Sequence, residues 1–321
     1  ASDVYKRQKL GEKIVETNRG FITKIWNAAR FLEMNGVKPN PDFKPGAAKL
    51  PLCRWVLARA NEAIIAATAG LDAYRPNDYA GACYRFAWGD VCDWFIELAK
   101  PGFASEDAAE IRDTAAYVLG VLLRLMHPLI PYVTEELWDH FGYGEAFSLI
   151  GASWPQIVAV QDEAGALEAT NWLIALISEI RSIRSEMNVP PSLKSPVLLQ
   201  DASAQTLDRA AQNFEAISRL ARASEIGPLT GAVPKNAAQA VLGEATIILP
   251  LEGLIDLEAE KKRLAAALSK AEAEQKKVQA KLGNADFTAR APEAILEEHR
   301  EREQSFGNEV TRLSAALSRL A

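Results

Sequence analysis

Histidine and cysteine are scarce in this chain, with three of each. Cys53, Cys83 and Cys92 form no CxxC pair, so neither a disulfide framework nor a zinc module is signalled, and three reduced thiols are expected. His127, His140 and His299 stand apart, with no HExxH pair to hold a metal. There is also no P-loop, no GxGxxG after a strand and no GxSxG elbow. No apolar run reaches the roughly 20 residues that a membrane span needs. Ala1 to Gln8 lacks the apolar core of a secretory signal, and it lacks an initiator Met, so the chain is expected to be a piece of something longer. Positive charge is not in excess: 36 Lys and Arg stand against 42 Asp and Glu, a formal charge of −6. That excludes a uniformly basic nucleic-acid binder and leaves only local basic patches for such a role. With 49% hydrophobic and 24% charged residues, wholesale disorder is excluded as well.

What is present divides into three zones, in keeping with the two or three domains that 321 residues predict. The first, 1–150, reads as a mainly α bundle. Phe21, Ile25, Ala29 and Leu32 recur at helical spacing, and Asn35-Gly36 supplies a stop. A Pro-rich linker follows over 37–47. Further helices are predicted over 50–69, 77–99 and from Ser105 past Leu125, with Ser105 as N-cap. The second zone, 151–252, is a small α/β module. Its helices are expected over 172–187 and 204–222, and its strands near Val197–Leu199, Ala223–Ile226 and Thr246–Leu249. His127, next to Pro128, reads as a structural histidine at a helix break.

The third zone, 253–321, carries heptads. Leu264, Leu268, Ala271, Gln275, Val278 and Leu282 alternate at steps of four and three, and after Pro292 the pattern resumes from Leu296 to Leu320. Two such helices predict an antiparallel coiled-coil hairpin, each arm projecting roughly 40 Å. So thin a structure buries little core, and its length serves reach.

Charge resolves along the chain in the same way. Residues 1–40 hold eight bases and four acids, a local +4, with Phe21, Trp26 and Phe31 interleaved. Cations beside aromatic faces suit unpaired nucleotides; an ordinary amphipathic helix with a buried aromatic face shows the same pattern. From Lys261 to Lys281 seven bases face two acids, Glu272 and Glu274, while the second hairpin helix is acidic. A basic projecting arm fits a phosphate backbone; charges flanking a coiled coil fit it too.

Five segments narrow the choice. They are Lys24-Ile25-Trp26-Asn27-Ala28-Ala29-Arg30-Phe31, the run His127 to Trp138 (HPLIPYVTEELW), Ile180 to Pro191 (IRSIRSEMNVPP), Leu254 to Lys261 and Asn284 to Pro292. In this order they resemble the carboxy-terminal half of bacterial valyl-tRNA synthetases, over roughly residues 9–321. The first two are similar to motifs of the anticodon-binding bundle that the class I valine, isoleucine and leucine enzymes share. The third points to the valine enzymes, and the last two open and tip the hairpin. In the HPLIPYVTEELW run the prolines break one helix and Thr134 is expected to cap the next. An isoleucine enzyme would end in a cysteine-rich zinc module, and a leucine enzyme would not end in this hairpin.

The resemblance implies a whole enzyme that attaches valine to tRNA(Val) with ATP and Mg²⁺. The HIGH and KMSKS adenylation motifs are absent, as are the nucleotide-binding fold and the editing domain, so this chain alone is expected to be inactive, with no cofactor of its own. Its implied partners are tRNA(Val) and an amino-terminal catalytic domain, with no membrane. A cytoplasmic monomer is expected. Carried over by motif, Lys24, Asn27, Arg30 and Phe31 would meet the anticodon, Phe31 by stacking a base, with Lys13 farther along the helix. Lys270, Lys277, Lys281 and Arg290 would meet phosphates along the arm. Trp26 is assigned to the core. The alternative from a different class is a helical scaffold whose coiled coil binds protein.

Overall fold

The computed structural model describes residues 12–144, 148–284 and 293–318. It divides into two compact units, Ala1–Asn171 and Trp172–Ala321.

The first unit is helical. Helix α1 runs Glu12–Met34 and ends where Gly36, at φ 76°, takes the left-handed conformation that glycine adopts at least cost. Helix α2, Pro51–Asp72, begins with proline at its first position, and both Lys49 N–H and Leu50 N–H donate to Glu110 Oε1 at 2.7 Å. Helix α3, Pro76–Tyr84, continues through a π-helical stretch, Arg85–Phe95, into α4, Ile96–Ala99. The wider turn has a visible consequence: Phe86 and Val91, and likewise Ala87 and Cys92, are buried five residues apart. Helix α5, Ala108–Met126, and α6, Pro131–His140, complete the bundle. Helix α2 packs on α3 and α5, and α1 packs on the π-helical stretch. At Gly70 a Cβ would lie 2.7 Å from the Tyr79 nitrogen, so the α2–α3 approach requires glycine there. Trp55, Tyr79, Phe86, Phe95, Leu122, Leu123 and Leu125 fill the core, and the Tyr79 hydroxyl donates to the Leu125 carbonyl at 2.5 Å.

Residues 151–171 belong to this unit. Asn61 clamps Val158 by donating to its carbonyl at 2.7 Å and accepting from its N–H at 3.0 Å. Trp154 Nε1 donates to Thr68, and Trp55 Nε1 donates to Asn171 at 2.9 Å. The last bond falls on α7, Glu163–Glu186, which starts nine residues before the expected helix at Trp172.

The second unit holds a four-stranded sheet of β1, Ser195–Gln200, β2, Ala223–Pro228, β3, Ala237–Leu242, and β4, Ala245–Pro250. The spatial order is β2-β1-β4-β3. Strands β1 and β2 are parallel, and the other pairs are antiparallel, with Leu198 opposite Ile248 and Ala240 opposite Ile247. The expected helix over 204–222 is two, α8, Ala204–Gln212, and α9, Phe214–Ala221, broken where the Asn213 amide turns back onto the Arg209 carbonyl. Strand β3 was not anticipated, because AAQAVL has little β-branched content.

Helix α10, Leu257–Leu282, and α11, Glu293–Ser318, pair along the arm. At 26 residues each, they span about 39 Å. Leu264, Ala271 and Val278 are buried seven residues apart, while Leu268, Gln275 and Leu282 are half-covered. Asp256 caps α10 by accepting from Ala259 N–H at 3.0 Å. At its base the buried Glu260 accepts from Arg263 Nε at 2.8 Å, and Arg263 also reaches the Glu186 carbonyl at 3.3 Å.

Two cap assignments need correction. Thr134 lies inside α6 and its hydroxyl donates back to the Ile130 carbonyl; Pro131 takes the first helical position. Ser105 accepts from Asp107 N–H in a local turn, and α5 begins only at Ala108.

Candidate nucleic-acid interface

Helix α1 has two faces. Phe21, Ile25, Ala29 and Leu32 are buried against the bundle. Asn27 and Arg30 are exposed on the other side, and Lys24, Asn27 and Phe31 follow one another at i, i+3 and i+7 along one stripe. Trp26 is not core. It is 41% exposed, one helical step of 100° away from the buried Ile25.

The structure gives two of these residues partners that the sequence did not show. Lys24 Nζ lies 2.5 Å from Asp93 Oδ1 and 3.5 Å from the centroid of the Trp88 ring. Trp88 stacks on Tyr84 at 5.7 Å, and Phe21 packs on Tyr84 at 4.8 Å. Tyr84 is 46% exposed, so an aromatic ladder runs from the core to the surface beside the lysine. Sequence reasoning missed Tyr84 and Trp88; they sit on a different helix and enter through the π-helical stretch. Phe31 is half-buried, edge-on to Phe103 at 5.9 Å, with Lys100 Nζ 5.4 Å above its ring. The ring is therefore partly engaged in packing. Lys13 falls on the α1 backbone, with its side chain outside the described residues.

On the arm, Lys270, Lys277 and Lys281 are exposed at i, i+7 and i+11, one stripe of α10 spanning about 16 Å. Lys277 lies 2.6 Å from Glu274, an exposed i,i+3 pair. Exposed pairs of that kind are screened by water and contribute little, so the pair does not hold the ammonium from a phosphate. Helix α11 carries its own pairs, Arg300 with Glu293 at 2.9 Å and with Glu297 at 3.4 Å. Arg290 lies outside the described residues.

Other chemistry is thin. His127 Nδ1 is bonded to Thr134 Oγ1 at 2.9 Å across the helix break, a structural contact. Burial pushes the Cys83 and Cys92 thiols up to about 11 and Cys53 to about 12, so none is a ready nucleophile. Among the described residues no group of three or more His, Cys, Asp or Glu side chains gathers to hold a metal. Among the described residues no helix is long and apolar enough to cross a membrane.

Known proteins match this arrangement in order. The family described as the anticodon-binding domain of tRNA ligase matches residues 53–199, and the valyl tRNA synthetase tRNA binding arm matches residues 256–321. The chain is 55% identical to a valine–tRNA ligase of Granulibacter bethesdensis over 317 residues, 97% of this chain and 35% of that protein. It is 51% identical to the one from Gluconobacter oxydans over 98% of this chain, and 44% identical to the one from Brucella suis over 97%, in each case covering 35% of the relative. The chain thus spans about a third of the length of the relatives it matches. It belongs to the bacterial valine–tRNA ligase family, of which it is a carboxy-terminal portion made of the anticodon-binding domain and the tRNA-binding arm.

Proposed function

We propose that this chain holds tRNA(Val) for a valine–tRNA ligase, with three working parts: the bundle expected over residues 1–150, to which 151–171 are tied, the remainder of the α/β module to 252 and the arm over 253–321. The observation that supports this most directly is the pair of family matches, in order, on a chain that exposes Asn27 and Arg30 on α1 and a basic stripe on α10. The whole enzyme would activate valine with ATP and Mg²⁺ and transfer it to the tRNA in the cytoplasm; those steps belong to a catalytic portion with which this chain would act, as one monomer. No HIGH or KMSKS motif occurs in its sequence.

In this reading the α1 face meets the anticodon loop. Arg30 and Asn27 are exposed and supply cation and amide to phosphates and base edges, and Lys13 would add a further cation from the same helix. Lys24 trades its pair with Asp93 for a phosphate, leaving the Tyr84–Trp88 ladder and the half-exposed Phe31 ring as stacking surface. Lys270, Lys277, Lys281 and Arg290 neutralise phosphates of the tRNA body along the arm.

The test is binding of a valine-specific tRNA transcript to the 321-residue chain by fluorescence anisotropy. Affinity that falls steeply as salt rises from about 50 to 200 mM is expected. A folded chain with no measurable affinity at low salt would refute the reading and favour a protein-binding scaffold.

A further inference from the structure

The segment Ile180 to Pro191, at the end of α7, does more than turn the chain. With the turn between α9 and β2 it lines an open cavity of about 410 Å³ in the second unit, with Arg181, Arg184, Ser185, Asn188 and Arg222 on its polar side. No carboxylate lines it.

Arg184 is the unusual member. It is only 6% exposed, and its guanidinium donates to Ser195 Oγ at 3.1 Å, the Leu193 carbonyl at 2.6 Å and the Pro190 carbonyl at 3.2 Å. All three acceptors are neutral, and no carboxylate pairs with it among the described residues. A buried cation is ordinarily paired, because taking it out of water is costly. Burial, with the nearby Arg222 charge adding to it, pulls the Arg184 pKa down, which marks the charge as uncompensated. Arg181 is oriented at the same cavity by donating from Nε to the Leu220 carbonyl at 2.8 Å. Arg222 ends α9 in the left-handed conformation, φ 58°, a place where glycine or asparagine is ordinary; here it holds a third guanidinium at the rim.

We propose that this cavity is an anion site that receives one backbone phosphate of the bound tRNA, held by Arg222 and Arg181 at the rim above the buried positive charge of Arg184. A guanidinium fork matches two phosphate oxygens, and a phosphate supplies the negative charge that the neutral acceptors around Arg184 do not. The inference rests on the tRNA-binding reading and adds a contact on a part of the chain lying outside both the α1 face and the arm.

Two variants test it. Arg222→Asn removes the rim cation with a residue that tolerates the left-handed backbone. Ser185→Glu places a carboxylate among the arginines. The unaltered chain and both variants are titrated with a valine-specific tRNA transcript between about 50 and 200 mM salt, and melted with and without inorganic phosphate. Arg222→Asn is expected to flatten the slope of log affinity on log salt by about 0.7–0.9, the share of one phosphate. Ser185→Glu is expected to weaken tRNA binding further while raising the melting temperature, because its carboxylate supplies the missing counter-charge. If the unaltered chain binds tRNA and both folded variants match it in affinity and slope, the site is refuted and the wider reading stands. Inorganic phosphate that stabilises the unaltered chain but not Arg222→Asn, with tRNA affinity unchanged, assigns the pocket to a free anion and overturns the RNA assignment. An unaltered chain that binds no tRNA overturns both.

Discussion

Replacing Lys270, Lys277 and Lys281 together with glutamine removes the basic stripe of α10 without touching its seam, since all three are exposed while Leu264, Ala271 and Val278 are buried. If each lysine neutralises one phosphate, three counterions are no longer released on binding. At 0.7–0.9 per phosphate, the slope of log affinity on log salt flattens by about 2.1–2.7. Over a fourfold rise in salt, from about 50 to 200 mM, the unaltered chain should therefore lose about 20- to 40-fold more affinity than the triple variant. Lys277 counts fully, because its pair with Glu274 at 2.6 Å is exposed and weakly held against solvent. The assay is anisotropy of labelled tRNA, with far-UV circular dichroism to confirm that the helices persist. An unchanged slope in a folded triple variant refutes the reasoning and returns these charges to the role of solubilising a coiled coil.

Three further outcomes are expected. Phe31→Ala, at a half-buried ring against Phe103 and Lys100, should cost about 1.5–2.5 kcal/mol of stability, roughly half a fully buried Phe, and should weaken tRNA binding by about 1–3 kcal/mol if the ring also stacks a base; a lowered melting temperature with unchanged affinity leaves it a packing residue alone. Asn61→Ala strips both partners from Val158 and should cost about 1–3 kcal/mol, with proteolysis appearing within 151–162 before the bundle melts; an unaltered digestion pattern would contradict the docking of that segment. The native thiols should resist an aromatic disulfide reagent at pH 8 and react only on unfolding. Because their folded pKa values, about 11 to 12, lie above the ordinary 9, the folded chain keeps protons that the unfolded chain loses, so stability should hold below about pH 9 and fall as pH rises toward 11; fast labelling of the folded chain at pH 8 would contradict this.

Local and periodic signals in the sequence determined a good deal by themselves. The stop at Asn35-Gly36, the strand at Val197 to Leu199 and the seven-residue spacing of Leu264, Ala271 and Val278 are all legible, because each depends on a few neighbouring residues and their intrinsic geometry. The order of the family motifs was legible for the same reason. Tertiary structure decided what depends on residues far apart in the chain. Trp26 and Ile25 are adjacent and both apolar, and the packing of α1 on the π-helical stretch, α5 and α6 leaves Ile25 covered and Trp26 exposed. Lys24 counted as a free cation until Asp93 and Trp88, more than sixty residues on, came to meet it. The segment 151–171 resembled the α/β module in composition, yet Asn61 and Trp55 tie it to the bundle. The motif around Arg184 carries no sign of burial, and its burial without a carboxylate follows from β1, α7 and the Pro190-Pro191 turn converging around it. A single chain shows its periodicities in one dimension, whereas burial and charge compensation are properties of the neighbours that folding brings together.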